Sequence, residues 1–139
     1  MVMKLEYLDD ITDGGRYPDA DPDKLIRLYD FDCTEVRQLQ EAIRLQVISH
    51  NHPLMLSSLP FITAVNCQLT LILASTNEGI SVASDNNDFK GLFTMASFEE
   101  MLAVMEPFTN ESRNNYGYNW LYDPADRQID LLLSPAGGW

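Results

Sequence analysis

The longest regular alternation of apolar and polar positions covers residues 59–74. Its odd positions are apolar apart from one threonine, whereas its even positions are mixed. A period of two, with β-branched and aromatic residues, predicts a β-strand that buries one face. At about 3.3 Å per residue the run would span roughly 50 Å, too long for one straight strand in a small domain. We therefore expect a bend, bulge or break near Asn66, followed by a central strand over residues 67–74.

Shorter alternating segments predict strands on both sides of this run. Before it lie residues 1–7, a short edge strand, and residues 25–31. After it come residues 80–83, with Ile80 and Val82 facing inward, and residues 89–95, joined as a hairpin whose asparagines tolerate positive φ. Within the second arm, Gly91 indicates a close approach. A final hairpin is predicted from residues 116–122 and 128–133.

Two segments show the helical period instead. In the first, Asp32 as N-cap and Glu35 three residues later resemble a capping box. Its predicted buried face comprises Val36, Leu39, Gln40, Ile43 and Val47. The second helix is predicted to begin at Ser97, with Glu100 closing a capping box, and to end at Pro107. Its predicted buried stripe comprises Phe98, Met101, Leu102 and Met105.

The order of these elements predicts the fold class. Consecutive strands joined by short turns pair antiparallel. Two helices cannot cover both faces of a wide sheet, so we expect them to share one. The prediction is a single α+β domain over residues 25–139, with an antiparallel sheet of about six or seven strands and both helices on one face. Residues 1–24 are interpreted as an acidic N-terminal segment that is partly irregular.

Length and charge narrow the functional classes. The chain has 139 residues, which suits one domain, with 21 acidic and 9 basic residues and a net charge of −12. This charge opposes binding to nucleic acid or to an anionic membrane. The N-terminus lacks the pattern of a signal peptide, and Cys33 and Cys67 are the only cysteines. We therefore expect a cytoplasmic location and two reduced thiols.

Two groups of residues suggest metal ligands. Asp19, Asp21 and Asp23 have the alternate spacing that opens a calcium loop, but Lys24 and Asp30 stand where that loop requires glycine and glutamate. A solvated acidic loop is the simpler interpretation.

His50 and His52 are the other group, since two imidazoles on one side of an extended segment can bind a metal. A third ligand would have to be Cys67 or a carboxylate. The enzyme hypothesis is therefore a small hydrolase or metal-dependent activity around these three residues. No nucleophile elbow and no phosphate-binding glycine motif supports it, so we assign no catalytic residue and no cofactor.

The most unusual composition lies near the C-terminus, in five aromatic residues: Tyr116, Tyr118, Trp120, Tyr122 and Trp139. Alternate strand positions would put Tyr118, Trp120 and Tyr122 on one face. Amphipathic aromatic residues are enriched at protein interfaces, so this row is the predicted binding surface for a partner or ligand. The alternative is that the row covers the side of the sheet that the helices leave bare.

Five short segments carry a resemblance: residues 59–61, 67–71, 105–108, 117–121 and 129–135. Through them, and over about residues 25–139, the chain resembles a group of small uncharacterised bacterial proteins. The resemblance implies a single domain and carries no activity, substrate or cofactor.

The leading functional hypothesis is a non-enzymatic binding or protein-interaction module. It would form a homodimer through the aromatic hairpin face or through an exposed sheet edge. The alternative within this class is an immunity-type or inhibitor protein whose acidic surface binds a basic partner.

Overall fold

A computed structural model describes residues 3–8, 24–84, 87–110, 119–122 and 129–134. The strands are β1 Met3–Leu8, β2 Leu25–Tyr29, β3 Leu54–Met55, β4 Ile62–Ala64, β5 Gln68–Leu73, β6 Gly79–Ser84, β7 Asp88–Phe93, β8 Asn119–Tyr122 and β9 Asp130–Ser134. The helices are α1 Cys33–Ala42, continued by a π-helix Ile43–Ser49, and α2 Met95–Met105, continued by a 3-10 helix Glu106–Thr109. A further 3-10 turn covers Leu56–Ser58. The fold is α+β, as predicted.

The strands form two mixed sheets, so the predicted single antiparallel sheet of six or seven strands is wrong. A five-stranded sheet has the order β4-β1-β2-β9-β8, and a four-stranded sheet has the order β3-β5-β7-β6. Three pairs are parallel: β1 with β4, β2 with β9, and β5 with β7. The predicted edge strand β1 is instead an interior strand, since it lies between β4 and β2.

The predicted break near Asn66 is the point where the chain changes sheets. β4 belongs to the five-stranded sheet, whereas β5 belongs to the four-stranded sheet. The buried positions also change there from even to odd residue numbers. Before the break Ile62 is buried and Val65 is exposed, whereas after it Cys67 and Leu69 are buried. The prediction that the odd-numbered residues are buried is therefore confirmed for β5 and wrong for β4.

Side-chain hydrogen bonds explain where the two helices begin. The side chain of Asp32 and that of Glu35 form the predicted capping box of α1. The second helix begins before the predicted Ser97, because Thr94 is its N-cap and accepts from the Ser97 N–H. Asn77, far away in the sequence, accepts from the Thr94 N–H at 2.8 Å and from the Ser97 hydroxyl at 2.9 Å. This long-range support fixes the earlier start.

One hydrophobic core contains residues from both sheets and both helices. All the positions predicted to be buried on the two helices are buried. Ring contacts join the sheets, with centroids 4.7 Å apart for Tyr7 and Phe89 and also for Phe93 and Tyr122. The π-helix contacts β3 and β5, and α2 contacts β8. The helical segments therefore contact both sheets, which corrects the prediction that both helices share one face of a single sheet.

Candidate functional site

The predicted aromatic surface is only partly within the described residues. Trp120 and Tyr122 lie on β8, at one edge of the five-stranded sheet, and both are half-buried. Tyr116, Tyr118 and Trp139 lie outside the described residues.

A β-bulge separates the two aromatic residues that are described. Trp120 pairs with Leu132, whereas Tyr122 pairs with Leu131, so the register shifts between them. Cross-strand partners share a face and successive residues alternate, so Trp120 and Tyr122 lie on opposite faces. The predicted common face is wrong for this pair. Tyr122 packs edge-on against Phe93 on the core side.

Trp120 lies on the outer face of the sheet, where an arginine is the central charged group. The register places Arg27 beside Leu132, the partner of Trp120. The Arg27 guanidinium donates to Glu6 at 2.8 Å and lies 4.0 Å from the centroid of the Tyr29 ring. An ion pair combined with a cation–π contact holds this side chain in place. Sequence reasoning missed this cluster, since its members come from two distant strands.

The residues in the middle of this outer face are buried. Leu25 and Leu132 are 0% exposed, and Asp130 and Ser134 are nearly as buried. A binding surface must be accessible before its partner arrives, so these four buried residues do not belong to one, whereas Trp120 is half-exposed.

His50, His52 and Cys67, suggested as metal ligands or catalytic residues, do not form such a site in the structure. His50 and His52 are exposed, with ring centroids 6.2 Å apart, and His50 Nδ1 lies 2.6 Å from the Leu45 carbonyl oxygen. Cys67 is 4% exposed, and burial, with a smaller effect from Glu6, raises the pKa of its thiol to about 12. Within the described ranges, no three His, Cys, Asp or Glu residues lie close enough to hold a metal ion. Asp19, Asp21 and Asp23 lie outside those ranges.

The Asp32 and Glu35 carboxyls lie at the start of α1 and share a side-chain hydrogen bond. Burial, followed by the hydrogen bond to Asp32, raises the pKa of Glu35. The same hydrogen bond lowers the pKa of Asp32. Glu35 also accepts from the Asp32 backbone N–H at 3.2 Å. Both groups thus serve the capping box, which makes them a structural pair.

The sheet edges offer a more accessible surface. Three of the four edge strands are short: β3 has two residues, β4 three and β8 four. β6, at the fourth edge, has six residues and contains neither a charged residue nor proline. Proteins commonly protect edges by shortness, charge or proline, and β6 has none of these protections. Within the described strand, a bulge between Val82 and Ser84 interrupts its pairing with β7.

Val82 is the most prominent side chain on this edge. It pairs in register with Phe89, as Ile80 pairs with Gly91, so all four positions belong to the core-facing side of the sheet. Ile80 is 4% exposed, yet Val82 is 65% exposed, the largest value among the exposed large hydrophobic residues described. Val82 is thus on the predicted inward side, but its side chain is not buried, because the core ends before this part of the edge. An added strand would cover it.

The candidate functional site is therefore the β6 edge, defined here as Gly79–Ser84. In the sequence, the one feature that distinguishes this strand is an uncharged alternating segment in a chain of net charge −12. Only the strand order reveals that this segment is an edge.

Comparisons with known protein families and with curated proteins find no match for this chain. Among the described residues, no helix is both long and apolar enough to cross a membrane.

Proposed function

We propose that this protein is a non-enzymatic protein-interaction module that self-associates through the β6 edge. The observation that carries the proposal is a six-residue, uncharged edge strand that leaves Val82 65% exposed. Strand addition to such an edge is a recurring mode of protein recognition, in which main-chain hydrogen bonds supply the affinity.

A second copy of the same strand is the occupant that we favour. Two β6 edges related by a two-fold axis would pair antiparallel and join two four-stranded sheets into one continuous sheet. Like charges directly opposite each other destabilise strand pairs, and β6 carries no charge to oppose. The remainder of the chain is strongly acidic, so an uncharged strand is well suited to contact between copies.

The expected association is weak. Main-chain hydrogen bonds along two six-residue strands and the covering of Val82 in both copies favour the dimer, whereas association costs translational and rotational freedom. These opposing contributions are of similar size, so dimers should accumulate only as the protein concentration rises.

The test compares two exposed hydrophobic residues. Val82→Lys places a charge on the β6 edge, whereas Leu45→Lys places the same charge on the π-helix, where Leu45 is 54% exposed. Sedimentation velocity should show reversible dimers for the wild type and for Leu45→Lys, and loss of dimers for Val82→Lys. The β6 amides that face away from β7 should exchange more slowly at high protein concentration. Equal dimerisation in all three proteins would refute the proposal.

The proposal includes the cytoplasmic location expected from the sequence and excludes nucleic acid and membranes as partners. The net charge of −12 supports both exclusions, since phosphate groups would be repelled.

A further inference from the structure

A groove of about 560 Å³ lies at the C-terminal end of α2, where the helix continues as 3-10 turns. It is lined by Ala103, Glu106, Pro107, Thr109 and Asn110. The groove is open to solvent, so it would contact one part of a ligand without enclosing it. The groove involves no residue of the β6 edge and is independent of the proposed function.

The helix end makes this groove electronegative. Carbonyl groups at a helix C-terminus carry partial negative charge, which basic residues commonly balance. The last turn of α2 contains no basic residue, and Glu106 occupies the C-cap position. An additional carboxylate is the least favourable side chain for local stability at this point. A bound cation would interact favourably with this carboxylate.

Glu106 is held in place by a buried amide. Gln40 of α1 is 4% exposed, and its Nε2 donates to Glu106 Oε2 and to the Leu102 carbonyl oxygen, each at 3.0 Å. Glu106 thereby accepts from one N–H group of an amide that water does not reach, and the same bond restrains the carboxylate. The contact therefore orders a surface carboxylate before any ligand binds, which reduces the entropic cost of binding.

One carbonyl group at the end of the 3-10 turns already has a cationic partner. Arg37 donates to the Thr109 carbonyl oxygen at 2.6 Å. The ion pairs among the described residues join Lys4 to Asp30 and Arg27 to Glu6, so Glu106 belongs to none of them. The carboxylate in the groove thus lacks a cationic partner within the described part of the chain.

We propose that this groove binds an organic cation, an ammonium or guanidinium group, through the carboxylate of Glu106. Gln40 is a positioning residue, and Ala103 and Pro107 supply apolar contact for the aliphatic part of the ligand. The cation would belong either to a side chain of a basic protein or to a small free amine.

The test uses N-acetyl-arginine amide and butylammonium as small probes and a tetra-arginine peptide as the protein-like probe. Amide chemical shifts are followed by NMR in the full chain. We expect saturable shifts in residues 103–110. Glu106→Gln should weaken binding of each probe roughly tenfold, whereas Glu100→Gln, an exposed acidic residue on the same helix, should leave it unchanged.

Gln40→Leu tests the positioning role, since it retains the carboxylate but removes its partner. It should weaken binding several-fold and broaden the signals of Glu106, with thermal unfolding checked in parallel. Tighter binding of the peptide than of the small probes would identify a protein side chain as the source, and similar affinities would identify a free amine. Shifts spread over the acidic surface, or equal loss in Glu106→Gln and Glu100→Gln, would overturn the proposal.

Discussion

Asn66 joins the two sheets, and its replacement by alanine tests how the chain passes between them. Its Oδ1 accepts from the Tyr7 N–H at 2.7 Å, and its Nδ2 donates to the Tyr7 carbonyl oxygen at 2.8 Å. This side-chain amide therefore pairs with β1 as a further strand residue would. The Asn66 carbonyl also accepts from Asn87 at 3.2 Å, and Asn87 in turn accepts from the Gln68 N–H.

Alanine removes the two hydrogen bonds of the side chain and leaves the backbone contacts in place. Each bond contributes about 0.5–1.5 kcal/mol net, and because the site is exposed, water replaces part of what is lost. We expect the free energy of unfolding to fall by about 1–2 kcal/mol. The corresponding decrease in melting temperature is roughly 3–8 °C for a chain of this size.

Urea unfolding followed by circular dichroism measures this loss, with Ser75→Ala in an exposed turn as the control. Asn66→Asp keeps the acceptor but turns a carboxylate oxygen toward the Tyr7 carbonyl, so it should be at least as destabilising as alanine. Hydrogen exchange of the Tyr7 amide should accelerate in both variants. An unchanged unfolding midpoint together with unchanged Tyr7 exchange would refute this account of the crossover.

Three further changes test the core and its titrating groups. Gly91→Ala would place a Cβ 2.7 Å from the buried ring of Phe93, so the free energy of unfolding in urea should fall by about 1–3 kcal/mol. An unchanged unfolding midpoint would contradict the close approach. Glu35 has a pKa raised above its usual 4.5, so the stability that it contributes is complete at low pH and is lost as the pH rises through the folded value. Glu35→Gln should thus stabilise the protein at neutral pH but not in acid, while the exposed Glu41→Gln should change little. The pKa of the Cys67 thiol is raised from 9.0 to about 12, so the free energy of unfolding should fall as the pH rises between these two values, by at most about 1.4 kcal/mol per pH unit. The same fall with pH in a Cys67→Ala variant would exclude Cys67 as its cause.

Features set by neighbouring residues were predictable from the sequence. The capping box of α1 uses Asp32 and Glu35, which lie three residues apart, and the structure confirms it. The buried faces of both helices follow from their period alone. The close approach at Gly91 is likewise confirmed, because a Cβ at this position would lie 2.7 Å from the ring of Phe93.

Features set by distant residues were not predictable. The start of α2 depends on Asn77, and the change of sheet at Asn66 depends on its pairing with Tyr7. Parallel pairs such as β2 with β9 join the two ends of the chain, and no local turn signal indicates them.

The arrangement of the aromatic residues on β8 also depends on distant residues. An aromatic row on β8 was expected, but the bulge after Trp120 turns Tyr122 into the core. The sequence also suggests an exposed sheet edge as an interface, yet it does not indicate which strand forms that edge. Val82 has the same apolar character whether a strand is central or at an edge. Only the strand order shows that it is uncovered.

The molar mass in solution, measured by light scattering, tests the central claim most directly. Samples from about 10 µM to about 1 mM protein would be compared at roughly 0.02 M and roughly 0.5 M salt. We predict a mass that rises from the monomer value of 15.8 kDa toward the dimer with concentration, and rises further with salt, because salt screens the repulsion between two chains of charge −12. A mass of 15.8 kDa under every condition would contradict self-association through the β6 edge.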